Sequence, residues 1–172
     1  MALDIKKVRS STRNWFRDLL YKMFGKRTSG DTNTPDFLET HSLPQYGEMY
    51  FYRYDPKWKD KLSKYDKFPM VFPIELYGDG FLGLNLHYLG VAERQKLLGK
   101  LMDYASNQKM NKTTKLKLSY DLIQSTRSLN TLARPCIKRY LFSHCRSRFI
   151  QIYANEFDKA IQLPVADWVF NR

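Results

Sequence analysis

The hydrophobic rhythm of the chain changes along its length. Between Ser10 and Gly25, Phe16, Leu19, Leu20, Met23 and Phe24 recur at helical spacing, with Trp15 beside them. Arg13, Arg17, Lys22 and Lys26 surround this stripe. The pattern predicts an amphipathic helix capped by Ser10 or Ser11 and stopped by Gly25. Residues 28–46 are polar and hold two prolines, Pro35 and Pro44, so they read as a linker. That linker would leave the helix as an arm (1–27) apart from a single domain (47–172). Strands are expected at Met49–Tyr54, Met70–Tyr77 and Phe81–Leu89, with a turn at Gly78-Asp79-Gly80. Pro73 marks an edge or a bulge in the second. Leu97, Leu98, Leu101 and Met102 predict a helix over Val91–Ser106. Further helices are expected at Ser119–Leu132 and, with Pro135 in a first turn, at Pro135–Arg146. Phe149–Tyr153 alternates like a strand, and Asn155 would open a last helical stretch, Glu156–Gln162, ended by Pro164. The class is α+β: a small antiparallel sheet, open or barrel-like, then a helical half, with the N-terminal helical arm.

Composition adds a partner class. The chain has 172 residues, 43% hydrophobic and 15% aromatic, enough for one domain with a real core. Lys and Arg number 29 against 17 Asp and Glu, a net charge of +12. The excess is segregated. Residues 1–27 carry +6 and residues 109–148 carry +9, whereas 28–52 carry −4. Such blocks point to an anionic partner: nucleic acid, membrane headgroups or an acidic protein face. Two cysteines exclude a disulfide scaffold. No apolar run approaches the ~20 residues of a membrane span, and the start lacks the apolar stretch of a secretory signal. A soluble protein of a cytoplasm or an assembled particle is expected.

Two stretches carry candidate chemistry. Over 50–68, Tyr50, Phe51, Tyr52, Tyr54, Trp58, Tyr65 and Phe68 alternate with Arg53, Lys57, Lys59, Lys61, Lys64 and Lys67. Aromatics stack on bases while lysines track phosphates, but aromatics also favour strands, and Asp55, Asp60 and Asp66 dilute the charge. Over 133–148, a helix would project Lys138, Arg139 and Arg146 and offer phosphate-binding amides at Pro135. On that helix Cys136 and Cys145 would lie on opposite sides. His144 and Arg146 beside Cys145 could lower its pKa, yet no nucleophilic triad or zinc spacing accompanies them. A nuclease needs clustered carboxylates to hold metal ions. Asp36 with Glu39, and Glu75 with Asp79, fall short. The chain reads as non-catalytic, with no cofactor and no metal.

The runs Gly47–Lys57, Leu62–Pro69, Pro73–Leu89 and Pro135–Phe149, with the ending Leu163-Pro164, resemble a block in virion proteins of T-even-type tailed phages. The similarity spans about residues 47–165 and leaves out the N-terminal arm. Relatives in that family are labelled DNA end protectors. The resemblance implies a virion protein that travels with the linear genome and shields its ends from host exonuclease. Double-stranded DNA ends are the expected partner, with Lys112, Lys115, Lys117, Arg134, Lys138, Arg139, Arg146 and Arg148 on phosphates and Trp58 and Tyr65 over the terminal base pair. The alternative is a multi-copy structural part of the tail, baseplate or neck that meets other phage proteins. In that reading Trp15, Phe16, Leu19, Leu20, Met23 and Phe24 form an assembly arm. The same helix also suits docking onto its own chain, or a membrane surface.

Overall fold

The computed structural model describes residues 5–24, 40–41, 43–129, 134–162 and 168–171. Helix α1 runs from Ile5 to Phe24. It begins before Ser10, so Ser10 and Ser11 lie inside the helix and do not cap it. Thr12, Trp15 and Leu19 are buried at one-turn spacing, and Phe16, Leu20 and Met23 pack beside them. The Phe16 ring meets Phe51 and Phe68 edge-on at 5.4 and 6.4 Å. The Trp15 indole Nε1 donates to Glu156 Oε1 at 2.9 Å. The helix expected to be an arm therefore packs into the core. A polar connection does not decide where the segment before it docks; the apolar stripe does. The Phe24 side chain and residues 25–39 lie outside the described residues.

Strand β1, Thr40–His41, falls inside the expected linker. Then follow β2 (Met49–Phe51), β3 (Lys64–Asp66), β4 (Met70–Tyr77) and β5 (Gly80–Asn85). Helices α2 (Val91–Ser106) and α3 (Lys112–Leu129) come next, and the chain returns to strands with β6 (Ile137–Leu141) and β7 (Phe149–Ile152). Helix α4 (Phe157–Ile161) and β8 (Trp168–Phe170) end it. Six strands form one antiparallel sheet in the order β1-β7-β2-β4-β5-β6, and β3 pairs with β8 as a separate ribbon. The α+β class holds.

Alternation along the strands gives the sheet two unlike faces. Met49, Phe51, Met70, Phe72, Ile74 and Leu84 point to the helices and share a core with α1, α2, α3 and α4. Tyr50, Tyr52, Tyr54, Val71, Phe81, Tyr140 and Phe149 form a second, aromatic cluster, packed against Phe142 and Cys145 of the β6–β7 connection. The bulge expected at Pro73 is present, with a register shift between Pro73 and Glu75. Its Ile74 carbonyl accepts from the Tyr120 hydroxyl (3.2 Å) and Gln124 Nε2 (3.0 Å) of α3. β5 and β6 approach closely at Gly80, where a Cβ would stand 2.0 Å from the Tyr140 carbonyl oxygen.

The helix expected over Pro135–Arg146 is instead a 3-10 turn (Arg134–Cys136), β6 and a second 3-10 turn (Phe142–His144). Short apolar runs fit either period. Here the free edge of β5 takes Ile137–Leu141 as a partner, and Ile137 and Tyr140 suit a pleated surface. Helix α3 starts seven residues before Ser119 because Asn111 Oδ1 accepts from Thr114 N–H at 2.8 Å and caps it. At the C-terminal side the Glu156 carboxylate, not Asn155, closes the turn, accepting from Tyr153 N–H at 3.1 Å. Pro164 lies outside the described residues.

Candidate nucleic-acid interface

Beyond β2 the chain stays extended and pairs with the connection between β6 and β7. Tyr54 bridges Cys145. Asp55 N–H donates to the His144 carbonyl (3.0 Å) and Arg146 N–H to the Arg53 carbonyl (2.8 Å). Arg53 N–H donates to Ser147 Oγ at 2.9 Å, across 94 positions of sequence. This seam sets Arg53 alongside Arg146 and Ser147 and brings Lys59 and Arg146 to one carboxylate. Asp55 sits among them as a counter-ion: its carboxylate accepts from Lys59 Nζ at 3.0 Å and stands 3.7 Å from Arg146. The Lys59 hydrogen bond holds the Asp55 carboxyl below its ordinary range, and Arg146 adds to this.

The other flank is the β3–β8 ribbon. Lys64 Nζ lies 6.0 Å and Lys138 Nζ 4.4 Å from the centroid of the Tyr88 ring. Burial pulls the Lys138 ammonium below its usual range, with the Lys64 charge a further cause in the same direction. Burial, helped by Asp66, pushes the Tyr88 phenol up to about 12.

A buried polar cluster fastens this ribbon to the sheet. Asp66 accepts from Phe68 N–H (3.0 Å) and from Asn85 Nδ2 (3.1 Å), and its Oδ2 lies 2.6 Å from His87 Nδ1. Asn85 Nδ2 also donates to the Tyr140 hydroxyl at 3.0 Å, and Asn85 Oδ1 accepts from His87 N–H at 2.9 Å. Burial drives the Tyr140 phenol well above its ordinary range, and Asp66 adds to it. The Tyr52 hydroxyl and His87 Nε2 are buried without a partner among the described residues. Sequence reasoning missed this cluster. Its signal was three polar residues, Asp66, Asn85 and His87, within or beside apolar strand runs.

The structure sorts the expected site residues. Trp58 is exposed, with Lys57 Nζ 5.3 Å and Lys61 Nζ 4.7 Å from its ring centroid. Tyr65 is half-buried, on the opposite face of β3 from Lys64. Tyr50, Phe51, Tyr52, Tyr54 and Phe68 are buried, so these aromatics build cores rather than stack on bases. On β6, alternation puts Lys138 and Arg139 on opposite faces. Arg139 pairs with Asp79 and lies 4.2 Å over the Tyr77 ring. Arg134 is exposed on the first 3-10 turn, and no α-helix starts at Pro135, so the amide site expected there is not formed. Lys112 and Lys115 line a cavity of about 190 Å³ between α2, α3 and the β2 segment. Lys115 Nζ donates to the Ala105 carbonyl at 2.7 Å, and Lys117 is exposed. These three stand on the helical layer, apart from the seam.

The thiols are not activated. Burial pushes Cys136 up to about 11 and Cys145 up to about 12, the latter against the pull of Arg146. The expectation that His144 and Arg146 lower the Cys145 pKa fails because desolvation outweighs the neighbouring charge. Among the described residues no group of three or more His, Cys, Asp or Glu is placed to hold a metal ion. No helix among them is long and apolar enough to cross a membrane.

Comparison with curated proteins and with solved structures gave no match. A family model does match, over residues 6–172, and its description is phage T4 terminal DNA protecting protein. The match is wider than the resemblance over 47–165: it takes in α1. A chain matched from its first helix to its last residue belongs to the family of the phage T4 terminal DNA protecting protein.

Proposed function

We propose that this protein binds the ends of a linear phage genome and protects them from exonuclease, without cutting DNA itself. The family description supports this reading and favours it over a structural part of the tail, baseplate or neck. The observation that supports it is the backbone seam between 53–55 and 144–147, which brings Arg53 and Arg146, distant in sequence, side by side. Arg53, Lys57, Lys61, Arg146 and Arg148 supply phosphate contacts there, with Lys64 and Lys138 extending them past Tyr88. Such contacts position a duplex without reading its sequence. The protein would travel in the virion with the genome and act in the host cytoplasm after entry.

The test compares linear duplex with covalently closed circular DNA of the same sequence at two salt concentrations, then adds an exonuclease. Tighter binding to the linear form, with protection, is expected. Arg146→Ala should weaken binding on every sequence alike and lower the salt slope by about one. Binding that is equal on both DNAs and vanishes with salt would refute the proposal.

A further inference from the structure

Phosphate contacts are available all along a duplex, so a basic surface alone does not distinguish an end from the middle. What differs at an end is a base with an uncovered face. The turn between β2 and β3 presents the chemistry that meets such a face. Trp58 is 58% exposed, Leu62 40% and Phe170 of β8 65%. Exposed apolar side chains of this size on neighbouring segments suit an interaction site.

The C-terminal strand reaches the backbone of the same turn. Asn171 N–H donates to the Ser63 carbonyl at 3.1 Å. Its side-chain amide donates to the carbonyls of Leu62, at 2.6 Å, and of Lys59. Phe170 stands opposite Lys64 in the ribbon. The turn is thus hydrogen-bonded through its backbone to the C-terminal strand, while Trp58, Leu62 and Phe170 remain exposed. Its charge is equally specific: the ammonium groups of Lys57 and Lys61 lie over the Trp58 ring, and Lys59 is tied to Asp55. An aromatic ring among lysines suits a base with a phosphate on either side.

We propose that Trp58, supported by Phe170 and Leu62, stacks on the last base of a DNA end, and that Lys57 and Lys61 bind the phosphates next to it. This patch would turn a surface with general duplex affinity into one that reads termini. The inference rests on the DNA-end reading above and adds the ligand group and the residue that reads it. The base is either half of a terminal pair at a blunt end or the unpaired base of an overhang.

The experiment titrates the full chain, wild type, Trp58→Ala and Trp58→Phe, with a blunt linear duplex, the same duplex with an overhang, and its covalently closed circle. Because Trp58 is exposed, the variants should keep the wild-type melting curve. Stacking on one base contributes about 5- to 150-fold in affinity, the equivalent of ~1–3 kcal/mol. Trp58→Ala should lose that factor on linear DNA and keep its affinity for the circle, and Trp58→Phe should retain most of it. Tighter binding to the overhang would assign the unpaired base; equal binding would assign the face of the terminal pair. If wild type prefers ends and Trp58→Ala keeps the full preference, stacking is overturned while the end-binding reading stands. Equal loss on linear and circular DNA also overturns it, since the indole would then add affinity without reading ends. If wild type shows no end preference, both readings fall. If Trp58 serves an acidic protein instead, Trp58→Ala leaves all three DNA affinities unchanged, which overturns the proposal.

Discussion

Replacing Asp66 with alanine tests how the basic ribbon is held. Asp66 is 5% exposed, and its carboxylate meets Phe68 N–H, Asn85 Nδ2 and His87 Nδ1 at 3.0, 3.1 and 2.6 Å. Hydrogen bonds to a charged group contribute ~1.5–3 kcal/mol each. The three share one carboxylate, so their losses do not add. Removing one member of a buried, paired set typically costs ~3–5 kcal/mol, because the partners remain buried without it. Asn85 keeps the Tyr140 hydroxyl, which places Asp66→Ala within that range rather than above it. For a chain of this length the loss corresponds to a fall in Tm of about 6–20 °C. Urea unfolding followed by tryptophan fluorescence reads it as a shift of the midpoint at unchanged slope. Asp66→Asn, which keeps one acceptor, should lose less, and Asp60→Ala on the exposed turn should stay within ~0.5 kcal/mol of wild type. An Asp66→Ala unfolding free energy within ~1 kcal/mol of wild type would refute the argument that this carboxylate fastens β3 to the sheet.

Three other outcomes are expected. Trp15→Ala should cost ~3–5 kcal/mol in thermal or urea unfolding, since the indole is buried and bonded to Glu156; an unchanged melting curve would restore the view of α1 as a free arm. Asp55→Asn should tighten DNA binding and steepen the salt dependence by about one unit of slope, because Lys59 and Arg146 lose their counter-ion. The Asp55 carboxyl is held low, so any stability from its pairing is present above its unfolded pKa of ~3.9 and lost as pH falls through the folded value. The difference between wild type and Asp55→Asn in acid unfolding checks that sign. Cys136 and Cys145, pushed up to about 11 and about 12, should react slowly with a thiol reagent at pH 8 in the native state and quickly in denaturant; fast native labelling of the half-buried Cys145 would contradict that upward shift.

What the sequence determined by itself is what depends on neighbours along the chain. The bounds of α2 follow from Leu97, Leu98 and Leu101 at helical spacing with Gly90 at the cap. The β4–β5 hairpin follows from the turn at 78–80, and the bulge from Pro73. The stripe on α1 and the segregation of positive charge were equally legible, as was the family, through motifs spread over 47–165. The composition of 28–46 reads as a linker and hides a strand, because a two-residue strand such as β1 has no pattern of its own and exists only beside β7.

Tertiary structure decided the rest, wherever two distant segments had to meet. Ile137–Leu141 carries apolar residues that fit a helix or a strand, and the open edge of β5 selected the strand. That choice moved Arg139 to the far face from Lys138 and removed the helix N-terminus expected at Pro135. Of the aromatics at 50–68, β-sheet alternation and burial took Tyr50, Phe51, Tyr52, Tyr54 and Phe68 into two cores and left Trp58 exposed. The seam from 53 to 147 and the Asp66–Asn85–His87–Tyr140 cluster were invisible in sequence. Local periodicity records which face a residue turns inward, but it carries no record of which distant backbone or side chain satisfies a hydrogen bond, and those pairings shape the candidate interface.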